Sequence, residues 1–280
     1  MTGGAHSRTE IARSALFFGL TLCSSTWAYR TFHEATWADG ARFSAALMMI
    51  LLAHEMGHYV VARLHGFSLS LPIFIPFPSI FGTAGAVIQL RSPPESREAL
   101  LEMGAAGPLA GAMVSVAVLA ISMGTAPLPL VFPPLTEMSI FNDPLLVKGM
   151  GRLLTGEIPS RYADYSPGMW AGWVGCFLTG MNLVPVGQLD GGHVLNAMLG
   201  GRFPRARWLV LVFVGGLGFV WHGWWMWLVL LLFLGAARPI AGLPDGGALT
   251  TRARLVALAA LVLFVLTFIP IPMEEELFGP

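Results

Sequence analysis

The densest chemistry in this chain lies in five residues, His54-Glu55-Met56-Gly57-His58. Two histidines four positions apart on an α-helix share one face, one turn above the other. Imidazoles placed that way are able to share one tetrahedral zinc ion. Glu55 follows the first histidine and points about 100° away around the helix. A carboxylate there reaches a water beside the metal rather than the metal itself, which is the place of a general base. The setting is apolar: Phe43-Ser44-Ala45-Ala46-Leu47-Met48-Met49-Ile50-Leu51-Leu52-Ala53 precedes the motif and Tyr59-Val60-Val61-Ala62 follows it. An ionised side chain at the centre of such a segment costs roughly 2.5–3.5 kcal/mol on insertion scales. A fold that keeps three polar groups there needs compensation: a bound zinc ion is one means, and hydrogen bonds from the cluster to neighbouring helices are the other.

Catalytic zinc usually takes three protein ligands and leaves one position open. Asp190 is the one acidic residue between Asp164 and Asp245. It follows a proline-broken segment and precedes Gly191 and Gly192, where backbone is able to approach closely. A carboxylate at Asp190 completes a His-His-Asp set. The same residue is placed to N-cap a helix starting at Gly191, and with two oxygens it can do both. His193 reads as a support for the ligands or a packing residue, since Asp190 already fills the third position. Asn182, two turns upstream, is placed to donate to a substrate carbonyl or its oxyanion, or to bond across helices. His33, His65 and His222 fall at the ends of apolar segments.

These residues need elements to hold them. The chain has 280 residues, 55% hydrophobic and 11% charged, against about 25% charged in soluble domains. That composition predicts an all-α polytopic membrane protein built as a single domain, residues 1–280. A net charge of zero with dispersed basic residues gives no footprint for nucleic acid. The two cysteines, Cys23 and Cys176, stand in apolar stretches and suggest no disulfide framework.

Apolar runs predict about six to seven transmembrane helices, at 14–30, 42–64, 99–124, 168–189, 208–221, 224–237 and 255–272. The run after Arg8 and Arg13 lacks a small-residue cleavage site and reads as a retained first span behind a polar lead. Pro185 and Gly187 are expected to break the fourth span. Residues 67–91 differ: Pro72, Pro76 and Pro78 forbid a regular helix, so a membrane-associated, β-like re-entrant region is expected over the site. An uncovered strand edge there suits pairing with an extended substrate. Gly107 and Gly111 form a small-xxx-small pair suited to close packing on the motif helix. Residues 125–167 read as an extramembrane loop with a short helix near 143–155, Ser92-Pro93-Pro94-Glu95 and 238–254 as polar connections, Arg202 to Arg207 as a basic turn, and Glu274-Glu275-Glu276 as a tail. Placing the N-terminus in the cytoplasm puts eleven of the 16 basic residues inside. The metal motif then lies towards the cytoplasmic side, and the C-terminus outside.

Taken together these motifs resemble the site-2 proteases, a family of intramembrane zinc metalloproteases. The family's H-E-x-x-H is matched by residues 54–58. Its second motif, Asn-x-x-Pro-x-x-x-Leu-Asp-Gly, is matched by Asn182 through Gly191. Gly107-Pro108-Leu109-Ala110-Gly111 is similar to its third core span, and the stretch 72–91 to the β-like region of its bacterial and chloroplast members. The resemblance covers a core at about 42–200, with 208–272 as C-terminal spans, and departs from the family in showing no PDZ-like insert at 125–167. It implies a zinc endopeptidase in which His54, His58 and Asp190 hold one ion, Glu55 moves the proton and Asn182 contacts the substrate. The partners it implies are the lipid bilayer and a single-span membrane protein, such as a tethered anti-sigma factor, in a bacterial inner membrane. The competing reading is a membrane metal-binding or transport protein using the same three ligands. Transporters of that kind usually show paired broken helices in two related halves, and no such repeat is present.

Overall fold

The motif helix is the organising element. In the computed structural model, which describes residues 6–91, 96–125, 138–159, 165–233 and 248–276, helix α2 runs from Trp37 to Leu64. Thr36 caps it, its hydroxyl accepting from the Asp39 amide at 3.2 Å. Helix α3 (Arg97–Thr125) packs along α2 and carries Pro108 in its interior without ending there. Helices α1 (Arg8–Phe32) and α5 (Pro167–Asn182) flank this pair. The core between them is buried aliphatic and aromatic surface: Leu47 and Met48 from α2, Leu119 from α3, Trp173 and Val174 from α5.

After α5 the chain turns through residues 183–189 and restarts as α6 (Asp190–Leu199). The expected break at Pro185 and Gly187 is therefore present, Gly187 taking the left-handed conformation with φ +61. Asp190, however, is the first residue of α6, not its N-cap. Leu189 holds the cap position with no side-chain bond, so the carboxylate is left to other partners. Helix α7 (Phe203–Leu217) starts earlier than expected, because Pro204 occupies a first-turn position where a missing N–H is harmless. Arg205 and Arg207 thus belong to a helix, and the basic turn shrinks to a 3-10 turn at Gly200–Arg202. Helices α8 (Gly223–Phe233) and α9 (Thr251–Thr267) complete the set.

Two helices among the described residues, Trp37–Leu64 and Arg97–Thr125, are long and apolar enough to cross a membrane. Crossing takes about 20 apolar residues; α5 has 16, α7 15, α8 11 and α9 17. The expected six or seven spans are therefore not matched helix for helix. Large apolar side chains still face outwards along the shorter helices, including Leu209, Phe213, Phe233 and Leu255.

The proline-rich stretch forms a hairpin, as its composition suggested. Strands β1 (Ile73–Pro76) and β2 (Thr83–Val87) pair antiparallel, with an irregularity between Phe74 and Pro76. A bridge at Leu69 and Leu90 prolongs the ladder. Helix α1 is bound to this hairpin, which composition did not announce. Ser14 Oγ donates to the Pro72 carbonyl at 2.6 Å and Ser24 Oγ to the Gly82 carbonyl at 2.7 Å. Phe18 meets Phe74 edge to face at 5.1 Å. Residues 8–13 of the polar lead already belong to α1, and Glu10 there is buried: its Oε1 accepts from the Leu71 amide at 2.9 Å and from Arg91 at 2.7 Å.

Within the expected loop 125–167 lie strand β3 (Met138–Phe141) and helix α4 (Leu145–Thr155), the short helix anticipated near 143–155. The acidic tail is not free: it forms β4 (Met273–Glu276), antiparallel to β3. Asn142 fixes that approach, its amide donating to the Pro272 carbonyl at 3.0 Å. Residues 92–95 and 234–247 lie outside the described residues, and with them the expected turn at Ser92 and most of the polar loop before α9.

Candidate metal centre

Helical period explains how α2 presents His54 and His58 together, and the start of α6 brings the third group from 132 positions away or more. His54 Nε2 lies 3.2 Å from Asp190 Oδ2, and His58 Nε2 lies 3.3 Å from Asp190 Oδ1. The two Nε2 atoms are 3.1 Å apart. One ligand atom from each residue falls within 4.8 Å of the others. Four acceptor-rich atoms converging at this spacing suit a shared cation, and a two-imidazole, one-carboxylate set suits zinc.

The orientation of His58 supports that use. Its Nδ1 lies 2.8 Å from the Met103 carbonyl, which can only accept, so Nδ1 carries the proton. The Nε2 lone pair is thereby turned towards His54 and Asp190. His54 and Glu55 are both buried. Glu55 is not one of the clustered ligand groups but directly follows His54 on α2. Asn182, the last residue of α5, brings its Nδ2 to 3.5 Å from His54 Nε2.

Close packing by small residues holds the cluster together. A Cβ on Gly107 would run into the His58 ring, and one on Gly111 would lie 3.1 Å from the His54 Cβ. The anticipated Gly107–Gly111 pair therefore packs against the two histidines themselves. Gly104 extends the same face: its Cβ would be 3.0 Å from the His193 Cβ and 3.2 Å from the Asp190 carbonyl oxygen. On α6, a Cβ at Gly192 would lie 2.5 Å from the Gly187 carbonyl oxygen. The turn after α5 could not come this near to α6 with larger residues.

Other sequence candidates lie elsewhere. His65 caps α2 and pairs with Glu102 at 2.9 Å. His33 stacks on Tyr29 at 4.5 Å. His193 packs beside the cluster without belonging to its ligand group. Sequence reasoning missed the Met103 carbonyl, which has no side-chain signature, and Gly104, whose spacing from Gly107 was visible but whose partner was not.

A two-histidine, one-carboxylate cluster held between apolar helices, with a spare glutamate beside it, defines a helical protein with a site made for one metal ion. Residues 42–222 match Peptidase family M50, and the chain belongs to that family. Among its relatives, probable zinc metalloprotease EGY2, chloroplastic, of Arabidopsis thaliana is 29% identical over 244 residues, covering 86% of this chain and 43% of that protein. Probable zinc metalloprotease EGY1, chloroplastic, of the same plant is 32% identical over 243 residues, covering 79% of this chain and 41% of that protein. The chain thus spans about two-fifths of the length of these curated relatives. The solved site-2 protease from Methanocaldococcus jannaschii superimposes with a TM-score of 0.40 at 18% identity, over 90% of this chain and 86% of that one.

Proposed function

We propose that this protein is an intramembrane zinc endopeptidase that hydrolyses a peptide bond in single-span membrane proteins. The observation that carries the reading is the convergence of Asp190, at the start of α6, on His54 and His58, which share the apolar helix α2 with Glu55. Family membership and the relatives' names as probable zinc metalloproteases support it. His54, His58 and Asp190 would hold the zinc ion, which would supply Lewis acidity and a water with a pKa of about 7.

The protein's own residues do the rest. Glu55 accepts the proton of the attacking water and returns it to the leaving nitrogen. Asn182 Nδ2 donates to the carbonyl oxygen as negative charge builds there. Burial of His54 and Glu55 keeps bulk water from screening these charges. A helical amide is shielded by its neighbours, so the scissile segment must be unwound. The hairpin at 67–91 offers an extended backbone edge for it. In this reading the chain is a multi-pass protein with the site towards the cytoplasmic face of a bacterial inner membrane, 42–200 forms the catalytic core, and the substrate is a tethered regulator released by regulated intramembrane proteolysis.

Metal removal tests the reading. The purified protein is incubated with a single-span substrate in detergent, with and without a zinc chelator. Cleavage is expected to stop in chelator and return with added zinc. Cleavage that continues unchanged after complete zinc removal would refute the assignment.

A further inference from the structure

Arg97, the first residue of α3, reaches across to the far end of α6. Its Nε donates to the Ala197 carbonyl at 2.8 Å, and its Nη2 donates to the Met198 carbonyl at 2.9 Å. Carbonyls in the last turn of a helix have no partner within that helix. A guanidinium satisfies two of them at once and also meets the negative end of the helix dipole. Gly200, with φ +53, ends α6 beside it; a Cβ there would lie 3.5 Å from the Arg97 Cζ.

The ligand Asp190 is the first residue of this same helix, which has 10 residues. A helix of that length is a rod of about 15 Å. At its near end Gly191 is pressed against the Leu183 carbonyl. At its far end Arg97 holds it to α3, the helix whose Gly107 and Gly111 pack against His58 and His54 of α2. Fixing a short rod at both ends fixes the carboxylate at its tip.

We propose that Arg97 is a positioning residue for Asp190: it locks α6 to α3 and so sets the third ligand against the two histidines. The proposal rests on the metal reading above. Neither exposure nor charge alone singles out Arg97; its two bonds to α6 do. Arg202, exposed on the adjoining turn, provides a control of equal charge.

The test measures zinc affinity of the purified full-length protein by chelator competition, and the visible spectrum of its cobalt(II) form. Arg97→Met is expected to weaken zinc binding about ten-fold or more, the usual cost of losing a group that orients a ligand. Its cobalt spectrum is expected to move towards that of Asp190→Asn. Arg97→Lys keeps the charge but not the fork, and is expected to fall between parent and Arg97→Met. Arg202→Met is expected to match the parent. Parental zinc affinity and an unshifted cobalt spectrum in Arg97→Met, even with a lowered melting temperature, would overturn the proposal. If Arg97→Met does not fold, parental affinity and spectrum in Arg97→Lys overturn it equally. A parent that binds no zinc would instead bring down the metal reading itself, and this proposal with it.

Discussion

At the scale of single residues, the site is set by where lone pairs point and how closely backbones approach. His58 donates from Nδ1 to the Met103 carbonyl, so its Nε2 is left to bind. Gly107 leaves room for that ring. Gly107→Ala must displace either α3 or His58; overpacking of this kind typically costs about 1–3 kcal/mol. We expect zinc affinity to fall together with the melting temperature, whereas Gly124→Ala, on the same helix with open space around its Cβ, should change neither. Calorimetry and chelator competition on the two variants decide this. Asn182→Ala is expected to lower kcat about 100-fold with zinc content unchanged, as for loss of an oxyanion donor; single-turnover cleavage is the check. The gathering of His54, His58 and Asp190 was legible because their types are rare in apolar surroundings and helical period places the two histidines on one face. The capping role open to Asp190 was the part that misled, since a cap and a first-turn residue differ by one position. The Met103 carbonyl was illegible because every residue has one.

At the scale of elements, α1 and the hairpin behave as one unit, held by Glu10, Ser14 and Ser24. Hydrogen bonds from the Leu71 amide and Arg91 hold the Glu10 carboxyl well below its ordinary 4.5, at about 2. Stability from this group is therefore fully present above pH 4.5 and is lost as pH falls towards 2. Glu10→Gln is expected to melt below the parent at pH 6, with the gap closing near pH 2, as followed by thermal melts across that range. Asp143 behaves oppositely. Burial raises its carboxyl from 3.8 to about 6, although the Tyr165 hydroxyl donates to it at 2.7 Å. Its contribution is fully present below pH 3.8 and is lost as pH rises through about 6. Asp143→Asn is expected to raise the melting temperature at pH 8 and to leave it nearly unchanged near pH 4. The departure from helix at 67–91 was legible from its prolines, and the short helix α4 was expected near 143–155. The anchoring of α1 was not, because a lone glutamate before an apolar run reads as a solvated lead, and only the fold shows Leu71 and Arg91 beside it. The pairing of β4 with β3 was hidden for the same reason: three glutamates in a row carry no strand signal of their own.

At the scale of the whole molecule, composition announced a mostly helical, apolar chain, whereas six or seven spans were expected and two helices among the described residues pass as spans. Two helices among the described residues have the length and apolarity to span, and α5 and α7 are bounded where the turn with Pro185 and Gly187 follows the one and Pro204 opens the other. Runs of apolar residues overstate helix length because such breakers interrupt the backbone without interrupting hydrophobicity. The match to Peptidase family M50 over residues 42–222 covers the same stretch in which the metal cluster is assembled, so fold, family and chemistry bear on one region. Function at this scale reduces to one question, whether that cluster, with Glu55 beside it, cuts a membrane-embedded peptide. The direct measurement compares the parent with Glu55→Gln on a single-span substrate, with zinc content determined in both. The account predicts equal zinc, one ion per chain, and cleavage lowered at least 100-fold in the variant, as for loss of a general base. Undiminished cleavage by Glu55→Gln at full zinc occupancy would contradict it.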